Sequence, residues 1–187
     1  MAVHETTHET LLELLAHVHG KAEIVAGEIV PMSPTGAASH YAANEIFVSL
    51  YMYVKKTGQG MAISDNAGFS VDLPDRDSFS PDAGYYIGRW TGKRFFDGPP
   101  AFAAEVRSES DYGPKAEKAM ARKRGEYFAA GALVVWDVDL DSSDVVRVYR
   151  ADRPTEPVIY RRGDQAEAEP AVPGWSIPVD VLFFLAV

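Results

Sequence analysis

Residues 102–108 read FAAEVRS, and this stretch decides the fold. Side chains alternate along an extended chain, so Phe102, Ala104 and Val106 share one face and Ala103, Glu105 and Arg107 the other. Glu105 therefore sits mid-strand in apolar surroundings, where an unpaired carboxylate is costly. It calls for a metal, a hydrogen-bond network, or an ion pair with Arg107 or a helix lysine. Downstream, Asp111 to Pro114 reads as a turn, followed by a helix from about Lys115 to Ala130 that Gly131 caps. Ala116, Ala119, Met120, Lys123 and Tyr127 fall on one stripe of that helix. Lys123 is thus on the sheet-facing side, where it either snorkels outward or meets a carboxylate. Glu105 is the partner that topology offers. Leu133–Val138 is a continuous apolar run, as expected of a central strand covered on both faces. Val145–Arg150 pairs with it across the turn at 139–143. Strand, helix, strand in this order reads as an α/β (α+β) domain.

Working upstream, Pro81 precedes Asp82 at the start of a short strand near Gly84–Ile87. A strand-start Asp and a mid-strand Glu on a neighbouring strand can converge. Two converging carboxylates fit a hard cation such as Mg²⁺ or Mn²⁺. A lysine beside them can orient an attacking water and stabilise charge on a phosphate. Further upstream, residues 9–19 have helical spacing, with Leu11, Leu12, Leu15 and Val18 on one stripe and Gly20 at the end. Residues 23–33 read as extended, with a turn near Gly27. A longer helix is expected from about Ser39 to Lys56, with Ala43, Ile46, Phe47, Leu50 and Val54 on its apolar side. Residues 61–72 resemble a hairpin around Asp65-Asn66, Leu73 to Ser80 an acidic loop, and 89–100 a loop. The tail from Pro173 is apolar enough to dock on the body. With no linker in view, residues 1–187 are expected to form one domain, its core spanning about 20–150.

The chain has 187 residues, 18 basic against 27 acidic, and a net charge of −9. That balance disfavours strong non-specific binding to a polyanion, although a local basic groove depends on placement and not on the sum. The absence of cysteine excludes disulfides and thiolate metal sites. No apolar run is long enough for a bilayer, and the acidic N-terminus lacks a signal-peptide pattern. A cytoplasmic protein without membrane contact is the expectation.

Several motifs together carry a resemblance: Pro81-Asp82; Glu105-Val106-Arg107-Ser108 before Ser110-Asp111; Lys123 four residues before Tyr127; Gly131; and Val135-Trp136-Asp137-Val138. Upstream stand Gly27-Glu28, Pro31-Met32-Ser33-Pro34 and His40. This order resembles the Uma2-like (DUF820) family of the PD-(D/E)XK nuclease superfamily, over roughly residues 20–150. The resemblance implies a restriction-endonuclease-like fold, a mixed central sheet flanked by helices, and a nucleic-acid substrate, DNA foremost. It implies Mg²⁺ or Mn²⁺ held by Asp82 and Glu105, with the Val106 carbonyl as a further ligand. The superfamily usually places its lysine two residues after the glutamate, where this chain has Arg107. Uma2-like sequences commonly move it to the following helix, which matches Lys123. Arg107 then either touches phosphate or balances charge, since arginine cannot replace a titratable lysine.

Glu28, after its glycine turn, is either a second metal-side carboxylate or an exposed turn residue. His40, in the first turn of a helix, either caps and packs or serves as a base. His4-Glu5-Thr6-Thr7-His8 matches the zinc-protease motif literally, but such a motif belongs on a buried central helix and not at a polar N-terminus. Lys115, Lys118, Arg122, Lys123 and Arg124 could line a phosphate groove, diluted by Glu117 and Glu126. Two functional classes follow: a metal-dependent endonuclease, or a non-catalytic scaffold or interaction module that keeps the fold. The apolar segments 89–96 and 181–187 point to a homodimer.

Overall fold

A computed structural model describes residues 7–184. Thr7 accepts the N–H of Thr10 and so caps α1 (His8–Leu15), which buries Leu11 and Leu15. The helix stops short of Gly20 because the N–H groups of His17 and Val18 bond three residues back, tightening the last turn. The hairpin β1 (Ala22–Val25) and β2 (Glu28–Pro31) turns at Ala26-Gly27, both with positive φ (51° and 75°). That matches a two-residue hairpin turn whose twist suits the strands. Next comes α2 (Ala37–Thr57), which Gly58 ends in the left-handed conformation.

The strands that follow correct two sequence expectations. β3 (Met61–Ser64) and β4 (Phe69–Leu73) are not a hairpin; they lie in different sheets. The turn at Asp65-Asn66, where Asn66 has φ 64°, carries the chain from one sheet to the other. Residues 73–80 are not a loop either. β4 pairs antiparallel with β5 (Arg76–Phe79), and Arg76 and Ser78 are buried. Polar strand residues mimic a loop in sequence unless their partners are known.

Then come β6 (Ala83–Tyr86), the short β7 (Phe96–Asp97), β8 (Phe102–Val106), α3 (Pro114–Ala130) and β9 (Val134–Val138). β10 (Val146–Arg150) pairs with β9 as expected. Beyond it lie β11 (Arg153–Tyr160), the pair β12 (Gln165–Glu167) and β13 (Ser176–Pro178), and a 3₁₀ turn over Val179–Leu182.

Two mixed sheets result, ordered β2-β1-β5-β4-β7 and β11-β10-β9-β8-β6-β3. β8 and β9 are parallel, with Glu105 beside Asp137, and α3 is the crossover that a parallel pair requires. Every residue of β9 is buried. Phe102, Ala104, Val106, Trp136 and Val138 share a core with Ile46 and Leu50 of α2 and with Trp175, Val179 and Leu182 of the docked tail. Ala103 and Val135 instead join Tyr127 of α3 and Phe69 and Phe79 of the smaller sheet. The alternation in FAAEVRS thus separates two cores, and Glu105 belongs to the α3 side. Among the described residues no helix is long and apolar enough to cross a membrane.

Candidate active site

Asp82 is placed by backbone bonds before β6 begins. Its N–H donates to the Ala104 carbonyl at 3.1 Å. Its Oδ2 accepts the Val106 N–H at 2.8 Å, and its Oδ1 accepts from Lys21 Nζ at 2.6 Å. In an extended strand a residue's carbonyl points to the same side as its N–H, so the Val106 carbonyl faces the Asp82 side too. Glu105, the penultimate residue of β8, accepts from the Tyr127 hydroxyl at 2.7 Å and from Lys123 Nζ at 2.8 Å. Lys123 and Tyr127 are one helical turn apart on α3, which sets both donors over one carboxylate.

Asp82, Glu105, Lys123, Val106 and Arg107 all line one cavity of about 790 Å³. Lys123 reaches further, to Glu23 Oε1 at 2.9 Å. Glu23 is almost fully buried and also meets Arg76 at 2.7 Å and the Ser80 N–H at 2.9 Å. Arg76 in turn meets Glu126 of α3 at 2.5 Å. Lys21 spans Asp82 and Asp65, at 2.6 and 2.7 Å. None of Lys21, Glu23 and Arg76 figured among the sequence candidates. Lys21 and Glu23 share a face of the first strand by alternation, and that spacing was the available signal. Arg76 left none, because its partners lie about fifty residues away on both sides.

Burial alone would lower the Lys123 pKa, but Glu105 and Glu23 outweigh it and hold the amine above its ordinary range. Burial would likewise lower Lys21, and Asp82 and Glu105 raise it on balance. Glu105 moves up: burial, Asp82 and Glu23 together exceed the pull of Lys123 and Lys21. Glu23 is buried as well, yet Lys123 and Arg76 bring it below the usual carboxylate range. Both cavity lysines are therefore ammonium groups.

The remaining candidates are placed elsewhere or are committed. Arg107 is buried, its guanidinium forked onto Asp137 at 2.7 and 2.8 Å and its far edge bonded to Glu117. It pins the first turn of α3 to the sheet and has no free edge for a phosphate. Glu28 is exposed at the turn end of the β1–β2 hairpin, opposite Val25, and does not line the cavity. His40 is exposed on α2, its Nε2 2.8 Å from the Asn44 amide, and does not line the cavity either. His4 and Glu5 of the zinc-protease pattern lie outside the described residues. His8 sits 2.6 Å from Asp77.

No group of three or more acidic or imidazole side chains converges into a cation cage among the described residues. A cation would rely on Asp82, Glu105 and the Val106 carbonyl. The donor chemistry fits: these are hard oxygen ligands, and each carboxylate oxygen has a second lone pair beyond the bond it already accepts. The charge fits as well. Glu23, Asp65, Asp82, Glu105 and Glu126 face Lys21, Arg76 and Lys123, with only the exposed Arg122 added at Glu126. The network keeps an excess of negative charge.

A protein-family model described as "Putative restriction endonuclease" matches residues 8–180. Among solved structures, one described as "a putative nuclease belonging to DUF820" from Anabaena variabilis superposes with a TM-score of 0.73 at 16% identity, over 95% of this chain and 97% of that one. At that identity the likeness establishes the fold. No curated protein matches. The family match spans nearly the whole chain and contains every part of the cavity described above, so the chain belongs to the Uma2 family.

Proposed function

We propose that this chain is a metal-dependent endonuclease that hydrolyses phosphodiester bonds in nucleic acid, DNA foremost. Asp82 and Glu105 would hold Mg²⁺ or Mn²⁺, with the Val106 carbonyl as a third ligand. The observation that carries the reading is the Lys123 ammonium, bonded to Glu105 in the same cavity as Asp82. When bound, the divalent ion supplies Lewis acidity toward the phosphoryl group. The chain's own residues do the rest. Lys123, held protonated by Glu105 and Glu23, offers positive charge to a phosphate and cannot act as a general base. Tyr127, whose pKa burial and Glu105 push well up, stays a neutral donor that orients the Glu105 carboxylate. Arg107 positions α3 through Asp137 and Glu117.

The test is cleavage of duplex DNA, single-stranded DNA and RNA with Mg²⁺, Mn²⁺ or EDTA, comparing the unaltered chain with Asp82→Ala. Asp82→Ala is expected to lower cleavage at least about 100-fold, the scale of removing one essential electrostatic group. Cleavage that survives either EDTA or Asp82→Ala overturns the reading. A chain that binds Mn²⁺ but cleaves none of these substrates would be a scaffold with a nuclease fold.

A homodimer belongs to the same proposal. Trp90, Met52 and Phe184 are 74%, 62% and 71% exposed, although Val179 and Leu182 of the tail are already buried in the chain's own core. Light scattering at micromolar concentration should give twice the chain mass; a monomer mass refutes the assembly.

A further inference from the structure

The cations that line the cavity fall into two groups. Lys21, Arg76, Arg107 and Lys123 are each bonded to two carboxylates. Arg124 lines the same cavity and has no carboxylate partner among the described residues. The central carbon of its guanidinium instead lies over the ring of Tyr149, 3.6 Å from the centroid. Tyr149 belongs to β10 and is itself 8% exposed, so the platform is fixed by the sheet.

The geometry points to Arg124 as a phosphate-binding subsite, which contacts a phosphodiester neighbouring the one at Lys123. This rests on the nuclease reading for what the neighbouring site does. Three physical features support it. The contact with the Tyr149 ring is a cation–π contact that consumes no N–H donor, and no carboxylate among the described residues takes one either, so the guanidinium keeps the fork that grips a phosphate with two parallel bonds. The side chain is ordered before ligand arrives, which lowers the entropy cost of binding. Finally, Lys21, Arg76 and Arg107 are neutralised by acids, and Lys123 is shared between Glu105 and Glu23, so their charge acts at short range and adds little to the long-range attraction for a polyanion. In a chain of net charge −9, one uncommitted arginine beside Lys123 then has a large share of the attraction. Lys115 and Lys118 on the same helix are exposed and do not line the cavity.

The test is fluorescence anisotropy with a labelled single-stranded 12-mer and its duplex, in EDTA so that no cleavage intervenes, over a range of salt. Arg124→Met is expected to weaken binding about tenfold and to reduce the slope of log K against log salt by about one unit, the signature of one lost phosphate contact. Arg124→Lys should restore the slope but only part of the affinity, since charge returns without the planar fork. Tyr149→Leu should weaken binding several-fold with the slope unchanged. Thermal melts confirm that each variant is folded. Equal affinity and slope for the unaltered chain and Arg124→Met overturn the subsite. Failure of the unaltered chain to bind either oligonucleotide also overturns the subsite, while the nuclease reading is judged separately by cleavage with Mg²⁺ or Mn²⁺. Binding with the expected Arg124 losses, but no cleavage with any divalent ion, upholds the subsite and sinks the nuclease reading alone.

Discussion

Lys123→Met is expected to abolish cleavage, by at least about 100-fold, while Mn²⁺ binding measured by calorimetry persists. The amine lies 2.8 Å from Glu105 and 2.9 Å from Glu23, so its removal deletes the positive charge closest to the proposed ligand Glu105. Helical spacing alone suggests that methionine would be tolerated, because position 123 lies on the apolar stripe with Met120 and Tyr127. The structure changes that expectation. Lys123 is the shared counter-ion of two carboxylates, one of them nearly fully buried, and taking one partner from such a pair costs about 3–5 kcal/mol. Glu23 keeps Arg76 and the Ser80 N–H, which places the cost toward the lower end. Cleavage is therefore compared at a temperature where denaturant titration shows the variant folded. Lys123→Arg, which retains charge, separates loss of charge from loss of fold. Wild-type-like cleavage by Lys123→Met would remove the assignment and move the role to Lys21, the other ammonium in the cavity. Arg107 could not inherit it, being locked on Asp137 and Glu117.

The α/β frame was legible because its strongest signals are local. The apolar run at 133–138, the cap at Gly131 and the 3.6-residue stripe through Lys123 each follow from short-range periodicity. The two misread segments fail for one reason. Arg76 and Ser78 are polar side chains inside a strand, satisfied by Glu23, Glu126 and the Ile24 N–H. Nothing near residue 76 in sequence announces those partners. The β3–β4 misreading is similar: two strands joined by a tight turn normally pair with each other, and here Met61–Ser64 is taken by β6 instead.

Within the cavity, Asp82, Glu105 and Lys123 were accessible from burial arguments on single elements plus the resemblance. Sequence also offered Glu28, because it follows a glycine turn, whereas the carboxylate of that hairpin that joins Glu105 at Lys123 is Glu23, five residues earlier. The difference is one of strand end, since the register puts both side chains on the same face of the hairpin. Glu28 pairs with Val25 at the turn, while Glu23 lies opposite Val30 and projects under α3. Which end of a hairpin faces a later helix is a tertiary fact, and periodicity carries no information about it.

Arg76→Met should produce the largest loss of stability, about 3–5 kcal/mol, from breaking a buried pair on one side only. Arg76 is 5% exposed, bonded to Glu23 at 2.7 Å and Glu126 at 2.5 Å, with its guanidinium over the Phe79 ring. Methionine fills the volume and keeps the contact with Phe79, but it leaves Glu23 to Lys123 and the Ser80 N–H. For a chain of this size the midpoint of thermal unfolding should fall by roughly 10 °C. The deficit has a pH signature. Glu23 is held below its ordinary 4.5, so its paired state stabilises the fold above that range and is lost as pH falls through the folded-state value. Once Glu23 is protonated there is no stranded charge, and the gap between Arg76→Met and the unaltered chain should narrow under acid conditions. Glu23→Gln in the Arg76→Met background should likewise recover part of the loss, a coupling expected of residues in one network. Activity should fall less than with Lys123→Met, because Lys123 is drawn toward Glu23 without being removed. A change in unfolding free energy within about 0.5 kcal/mol, the range of an ordinary surface substitution, would mean that Arg76 does not hold the smaller sheet to α3.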